Sequence, residues 1–300
     1  MRWYFGIDEA GSAGDAGLHA RLAVRSAALA GGLEPRLLYH GARNDFTAWM
    51  ERNGVTVIDA EPPCLDAMRE AEARGTFRAY STGHWLRLAI PLIDRDADFA
   101  LYTDCDIAFL CPVDWRAFRP RVFAAGPEFA PNAWNYFNSG VMVLNLATLR
   151  TTQSAFEAAL RAGLASNDAS QLDDQVALNQ AYRGQWDRLD PGLNAKPYWP
   201  HDPRAGILHF HGPKLGGIEA IAHGGWNWAD PTARAIGALC DAHIPNYVAW
   251  LTDLGDRMQL ADLDLALRLH RAAADLAAHG RAGPPQAHDL AFMRTRLFPE

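Results

Sequence analysis

Short apolar runs that alternate with helical patterns constrain the fold of this chain most strongly. The first half contains four predicted strands, Trp3–Ile7, Pro35–Tyr39, Val55–Ile58 and Phe99–Thr103. Apolar spacing predicts helices between them at Leu18–Ala30, Asp45–Arg52 and Gly83–Ile93. Such alternation favours an α/β fold in which helices cover both faces of a mostly parallel sheet. In open sheets of this class, ligands bind beyond the carboxyl ends of the strands.

The second half is less regular. Its predicted strands are Val122–Ala125, Tyr136–Leu144 and Gly206–Phe210, and its predicted helices are Ala147–Leu164 and Leu172–Tyr182. A glycine-rich loop is expected at Gly212–Gly217, and the pattern is helical from Pro231 to the end. We expect one catalytic domain over residues 1–220 and a helical region over residues 221–300 packed on it. Met258–Ala278 predicts a packing helix, with a partner or membrane surface as the alternative.

Net charge and cysteine spacing argue against some classes of protein. The 28 Lys and Arg residues against 35 Asp and Glu give a net charge of −7, whereas a dedicated nucleic-acid binder shows a basic surplus. None of the four cysteines forms a Cys-x-x-Cys pair, which favours a reduced, intracellular chain. The amino terminus lacks the apolar core of a signal peptide, and no apolar run reaches about 18 residues. We therefore expect a cytoplasmic protein without a transmembrane segment.

Two carboxylates follow the fourth predicted strand. Asp104 and Asp106 flank Cys105 directly after Phe99–Thr103 and before another apolar run. Acids inside an apolar run are costly unless they are paired or bind a metal, and two carboxylates at this spacing can share a divalent cation. A surface turn with solvated acids is the alternative.

Three further motifs have a functional and a structural interpretation each. Asn138-Ser139-Gly140 interrupts a strand, which permits either a bulge or the close approach of a ligand. Asp173-Asp174-Gln175 opens a helix, where acids can simply cap the backbone amides. His209 and His211 would share one face of a strand, and Lys214 after them can reach a phosphate. Core histidines and a solvated lysine are the structural alternative.

Taken in order, these motifs resemble glycosyltransferase family 8. The matching segments are Ser81-Thr82-x-x-Trp85-x-Arg87-Leu88, Asp104-x-Asp106, Phe137-Asn138-Ser139-Gly140-Val141-Met142-Val143-Leu144-Asn145-Leu146, Asp174-Gln175-x-x-Leu178-Asn179, Leu189-Asp190-Pro191-Gly192-Leu193-Asn194 and His209-Phe210-x-Gly212-Pro213-Lys214. The resemblance covers residues 3–216. It implies the GT-A fold, a Rossmann-like mixed sheet flanked by helices, here with a helical carboxyl-terminal extension. It also implies a retaining hexosyltransferase that takes a UDP-sugar as donor and uses Mn²⁺, with Mg²⁺ as a second option.

The resemblance assigns roles to residues of this chain. It implies Asp104, Asp106 and His209 as metal ligands, with His209 preferred over His211 because the family histidine stands three residues before the glycine. Around the reacting sugar it implies Asp174, Gln175 and Asn138. The positions implied for nucleotide-sugar binding are Asp8, Glu9, Arg87, Asp104, Cys105, Asp106, Ser139, His211, Gly212 and Lys214. Ser139 stands where the family often has alanine, which leaves the donor sugar open.

Two other functions stay open at this stage. An inverting GT-A transferase would need a general base such as Glu128, and a non-catalytic protein would bind a sugar nucleotide without turnover. The expected acceptor is a glycan or a lipid-linked saccharide, which places the protein in polysaccharide biosynthesis. A lipid-linked acceptor would bring it to the inner membrane face as a peripheral protein. A homodimer is compatible with the sequence, and no nucleic-acid partner is expected.

Overall fold

The structure, a computed structural model, describes residues 1–79 and 82–282. Its strands are β1 (Arg2–Asp8), β2 (Glu34–His40), β3 (Thr56–Asp59), β4 (Phe99–Thr103), β5 (Ile107–Phe109), β6 (Phe123–Pro127), β7 (Phe137–Asn145), β8 (Asp187–Arg188) and β9 (Ile207–His209). Its helices are α1 (Glu9–Ser12), α2 (Asp15–Ala30), α3 (Asp45–Arg52), α4 (Leu65–Ala73), α5 (Thr82–Trp85), α6 (Ile90–Ile93), α7 (Leu146–Leu164), α8 (Asp174–Ala181), α9 (Leu215–Ala222), α10 (Pro231–Asp241), α11 (Ile244–Met258) and α12 (Leu263–Ala282). Ser81 of the resemblance lies outside the described residues, as do residues 283–300 of the expected helical region.

Seven strands form one mixed sheet in the order β3-β2-β1-β4-β7-β6-β8. The pairs β1–β2, β2–β3, β1–β4 and β6–β8 are parallel, whereas β7 runs antiparallel to both β4 and β6. The carboxyl ends of β1 and β4 and the amino end of β7 therefore share one edge of the sheet. This arrangement confirms the predicted α/β class with a mixed sheet.

The chain divides into two compact units. The first comprises Met1–Gly17, Gly32–Cys105 and Val113–Pro191, and the second comprises Leu18–Gly31, Asp106–Pro112 and the chain from Gly192. The division between residues 220 and 221 stays a prediction.

The core of the first unit joins the seven-stranded sheet to its helices. Tyr4, Tyr102 and Phe137 from the strands belong to one buried cluster with Phe156 and Leu160 of α7. Each large apolar side chain buried in this way contributes about 1.5–3 kcal/mol to folding. The sheet that carries the motifs is thus a rigid support.

The second unit contains a two-stranded antiparallel sheet and α2 together with α9–α12. Ile107 of β5 pairs with His209 of β9. In α12, Leu269 and Leu276 are buried, whereas Leu263 and Leu267 are more than half exposed, so this stretch is a packing helix with one open face. Within residues 1–79 and 82–282, none of the helices combines the length and apolar character needed to cross a bilayer.

Local structure differs from expectation in several helical segments. Helix α4 was not predicted, because its N-cap, Cys64, has a left-handed backbone (φ +64°) and provides no side-chain cap. The single helix expected over Gly83–Ile93 is α5 and α6 with a 3₁₀ turn between them at Leu86–Ala89.

The prediction of a glycine-rich loop over Gly212–Gly217 is wrong beyond Lys214, because helix α9 begins at Leu215. The first amide of that helix is satisfied by the side chain of a distant residue, since Leu215 N–H donates to His19 Nε2 at 3.0 Å. Burial lowers the pKa of His19 to about 3, which keeps the ring neutral and able to accept this hydrogen bond.

Candidate active site

In the first unit, the carboxyl end of β4 lies beside the amino end of β7. The Asp104 N–H donates to the Gly140 carbonyl at 2.8 Å. This contact brings the first acid of the Asp-x-Asp motif next to the segment that contains Asn138 and Ser139. Asp8 ends β1 at the same edge, because β1 and β4 are parallel.

Arg87 connects these motifs through a buried guanidinium that is 5% exposed. Nη2 donates to Asp104 Oδ1 at 2.6 Å. Nη1 donates to the Ser139 carbonyl at 2.6 Å and to its hydroxyl at 2.7 Å. Nε lies 2.9 Å from Asp174 Oδ2, and the guanidinium covers the ring of Tyr102 at 4.4 Å. The planar guanidinium of arginine has five N–H donors in a fixed arrangement, so one side chain can bind several acceptors at once.

The charges of this cluster depend on one another. Burial opposes the charge on Arg87, yet Asp104 and Asp174 raise its pKa. Burial raises the pKa of Asp174, and Arg87 acts against that rise. The Nε–H of Arg87 donates to the His84 carbonyl at 3.0 Å, and Asp174 Oδ2 receives no hydrogen bond from any residue that the structure describes. A buried carboxylate oxygen without a donor is costly, so this atom is suited to a ligand hydroxyl or to developing positive charge.

Two amide side chains line the same edge and share one buried acid. Gln175 Oε1 accepts from the Ser139 N–H at 2.8 Å. Gln175 Nε2 and Asn138 Nδ2 donate to Glu128 Oε2 at 3.1 and 2.8 Å. Sequence reasoning considered Glu128 only as a general base, but here it orients both amides. Its position directly after an apolar strand was the signal that could have identified it.

Asn179 connects helix α8 to strand β7 by two hydrogen bonds. Its Oδ1 accepts from the Phe137 N–H at 3.1 Å, and its Nδ2 donates to the Phe137 carbonyl at 3.0 Å. Asp173 caps the helix by accepting a backbone N–H. The capping role that the sequence allowed for Asp174 therefore belongs to Asp173, which leaves Asp174 to face Arg87.

Three other predicted site residues lie near the edge and are held by backbone groups. Asp8 accepts backbone N–H groups of α1 at 2.8 Å and of α5 at 3.2 Å. Glu9 accepts one from the loop after β2 at 2.9 Å. The Cys105 thiol donates to a β1 carbonyl at 3.6 Å. Their contact with a nucleotide stays a prediction.

In the second unit, Asp106 is shared by an imidazole and an ammonium group. His209 Nε2 lies 3.4 Å from Asp106 Oδ1, and Lys214 Nζ donates to Asp106 Oδ2. Burial would raise the pKa of Asp106, but the ammonium group of Lys214 beside it holds that pKa well below its usual range. Asp106 is therefore a buried, charged carboxylate.

The donor chemistry around Asp106 fits a divalent cation. In the sequence, Asp104 stands two residues before Asp106, with Cys105 between them. Asp106 also lies next to His209 Nε2, and carboxylate with imidazole is a ligand set for Mn²⁺ or Zn²⁺. The ion pair between Lys214 and Asp106 shows that this carboxylate already binds one positively charged group.

His211 has different surroundings from His209. Strand β9 ends at His209, so the expectation that both rings share one strand face is wrong. His211 Nδ1 lies 3.0 Å from the Tyr198 hydroxyl. The chain then turns at Gly212, where φ is +122° and a Cβ would lie 2.8 Å from the Tyr247 hydroxyl. Glycine is therefore required at this turn.

Comparisons with known sequences find one short stretch of similarity. No protein-family model matches the chain. Over 87 residues it is 34% identical to mouse glucoside xylosyltransferase 2, which amounts to 22% of this chain and 20% of that enzyme. The chain thus spans only a fifth of the length of this curated relative.

Solved structures resemble the chain over a much larger part. The galactosyltransferase LgtC, solved with donor and acceptor sugar analogues, is 17% identical with a TM-score of 0.52 over 81% of this chain and 96% of that one. The glycosyltransferase GlyE of Streptococcus pneumoniae TIGR4 is 17% identical with a TM-score of 0.51 over 71% and 55%. Mouse xyloside xylosyltransferase 1 is 16% identical with a TM-score of 0.50 over 69% and 96%. The chain therefore has the GT-A fold of these glycosyltransferases, which confirms the fold and the resemblance inferred from its sequence.

Proposed function

We propose that this chain is a metal-dependent hexosyltransferase that moves a hexose from a UDP-sugar to a glycan or a lipid-linked saccharide and retains the anomeric configuration. The observation that carries the proposal is Asp106, a buried carboxylate shared by His209 and Lys214 in a GT-A fold. A cation site beside an ammonium group supplies the positive charge that a departing diphosphate needs. The LgtC structure with donor and acceptor analogues supports the substrate class.

Asp104, Asp106 and His209 would hold the cation. Mn²⁺ is the preferred ion because imidazole is a better ligand for it than for Mg²⁺, which remains a second option. When bound, the cation would supply positive charge to the two phosphates.

The other site residues would contact different parts of the donor, namely its diphosphate, its nucleoside and its sugar. With a cation on Asp106, Lys214 would donate to the diphosphate, and His211 and Gly212 precede it in the same loop. Asp8, Glu9 and Cys105 would lie toward the nucleoside. Arg87 and Ser139 would lie on the sugar side, since both belong to the cluster around Asp174.

Transfer breaks the bond between C1 of the hexose and the β-phosphate oxygen, and the electron pair stays on that oxygen. The acceptor hydroxyl oxygen bonds to C1, and its proton passes to a phosphate oxygen of UDP. Asp174 would place negative charge near C1 as positive charge develops there, and Asn138 and Gln175 would orient the sugar. Retention follows from attack on the face that UDP leaves, or from two displacements with a carboxylate nucleophile.

Two alternatives predict different outcomes. An inverting enzyme would use Glu128 as a base, but its Oε2 accepts from two amide side chains, which favours an orienting role. A non-catalytic protein would bind UDP-sugar and release no UDP. The proposed setting is cytoplasmic polysaccharide biosynthesis, at the inner membrane face when the acceptor is lipid-linked. A homodimer stays a prediction.

Chelation is expected to abolish turnover of the donor. Treating the protein with excess EDTA and measuring UDP release from a UDP-hexose should give background rates. Mn²⁺ should then restore the rate better than Ca²⁺, because Ca²⁺ prefers oxygen ligands and would gain little from His209. Undiminished UDP release in excess chelator would refute the metal-dependent function.

A further inference from the structure

Lys196 is a buried basic residue that the proposed chemistry does not use. Its side chain is 0% exposed, and burying an ammonium group is costly unless it has partners. The chain has two lysines, Lys196 and Lys214, against 26 arginines. Both lysines lie in the second unit, and Lys214 is bonded to the proposed metal ligand Asp106.

Lys196 belongs to a network that includes Asn194 and His209. Its Nζ donates to Asn194 Oδ1 at 2.8 Å. His209 Nδ1 lies 2.9 Å from the same amide oxygen and 3.2 Å from Nζ. All three side chains are buried, with exposures of 0% for Asn194 and 2% for His209.

The donor and acceptor chemistry of this network determines which nitrogen of His209 carries the proton. An ammonium group only donates, so the Asn194 amide must turn its oxygen toward Lys196. That oxygen only accepts, so the 2.9 Å contact requires a proton on His209 Nδ1. Nε2 then carries the lone pair, and this is the atom 3.4 Å from Asp106 Oδ1.

The opposite arrangement would exclude a metal. If Lys196 donated to His209 Nδ1, the ring proton would sit on Nε2 and point at Asp106. A protonated nitrogen has no lone pair for a cation. The longer of the two contacts to Nδ1 is the one from Lys196, which favours the arrangement through Asn194.

We propose that Lys196 and Asn194 are positioning residues for the metal ligand His209. Lys196 sets the orientation of the Asn194 amide, and Asn194 holds His209 as the Nδ1–H tautomer with Nε2 ready for the cation. The compact ammonium suits this enclosed place, whereas the wider planar guanidinium of arginine does not match a single amide oxygen. This inference rests on the proposed function for the identity of the cation.

The test compares variants that keep or remove the acceptor. In the double variant Asn194→Leu/Lys196→Met, both polar partners become apolar, which avoids leaving a buried ammonium unpaired. We expect its Kd for Mn²⁺, measured by electron paramagnetic resonance, to rise about tenfold to a hundredfold. Asn194→Asp keeps an acceptor for Nδ1–H and should stay within about threefold of the wild type. The matched control Tyr198→Phe removes a hydroxyl from His211 instead and should leave Mn²⁺ affinity unchanged.

The tautomer gives a second readout that requires neither metal nor activity. In the metal-free wild type labelled with ¹⁵N-histidine, His209 should show a protonated Nδ1 and an unprotonated Nε2. A protonated Nε2 in the wild type would overturn the proposal, even if the double variant fails to fold. Wild-type Mn²⁺ affinity in the folded double variant would overturn it as well. A wild type with the expected tautomer but without Mn²⁺ binding would instead refute the metal site and leave the positioning network intact.

Discussion

Replacing His209 with alanine is expected to remove nearly all sugar transfer and to weaken Mn²⁺ binding by a hundredfold or more. Loss of an outer partner of a metal ligand already costs about 10–100-fold, so loss of the ligand itself should cost at least that. His209 Nε2 lies 3.4 Å from Asp106 Oδ1, so truncation to alanine removes the imidazole from the proposed cation site. Mn²⁺ titration and UDP release measure the two effects.

His211→Ala is the matched control for this prediction. His211 lies one residue beyond Phe210 and contacts Tyr198, so the variant should keep Mn²⁺ affinity near the wild-type value. If His211→Ala lost Mn²⁺ and His209→Ala kept it, the assignment of ligands would be shifted by two residues. The proposed role of Lys214 in binding the diphosphate would then be refuted as well.

Replacing Asp174 with asparagine is expected to lower kcat by about a hundredfold or more while leaving UDP affinity nearly unchanged. Removing one group that stabilises developing charge costs about 10²–10³ in rate. Asp174 Oδ2 is buried beside Arg87 and has no hydrogen-bond donor among the described residues. Steady-state kinetics and calorimetric titration with UDP and Mn²⁺ separate catalysis from binding.

Asp173→Ala separates the catalytic role of Asp174 from helix capping. Asp173 is the residue that caps α8, so its loss should cost about 1 kcal/mol of stability with kcat close to the wild-type value. Melting temperatures of both variants complete the comparison. Near-normal kcat in a folded Asp174→Asn protein would refute the proposed role of this carboxylate.

The sheet and the position of its acids could be predicted from local sequence. Within the described residues, apolar runs predict seven of nine strands, with ends that differ from the observed ends by at most two residues. Ligands are expected beyond the carboxyl ends of the strands, and Asp8 and Asp104 stand at the carboxyl ends of the parallel neighbours β1 and β4. The strands β5 and β8, of three and two residues, are too short to give a periodic signal.

Contacts between distant segments could not be predicted. Arg87 lies in a 3₁₀ turn that the sequence pattern merges with its neighbouring helices, and its contacts with Ser139 and Asp174 span 52 and 87 residues of chain. Helix α9 begins where His19 meets the Leu215 amide, which no local pattern encodes. The network of Asn194 and Lys196 lies outside regular strands and long helices, so periodicity gives no sign of it.

Retaining transfer from a UDP-hexose can be tested in a single reaction with competing donors. The wild type with Mn²⁺ is given UDP-, GDP- and dTDP-hexoses and a saccharide acceptor. Released nucleotide is quantified, and the product anomer is read by NMR. We expect release of UDP from a UDP-hexose and a product with the donor's anomeric configuration. Preference for a GDP- or dTDP-sugar, an inverted product, or binding of UDP-hexoses without any release of UDP would contradict it.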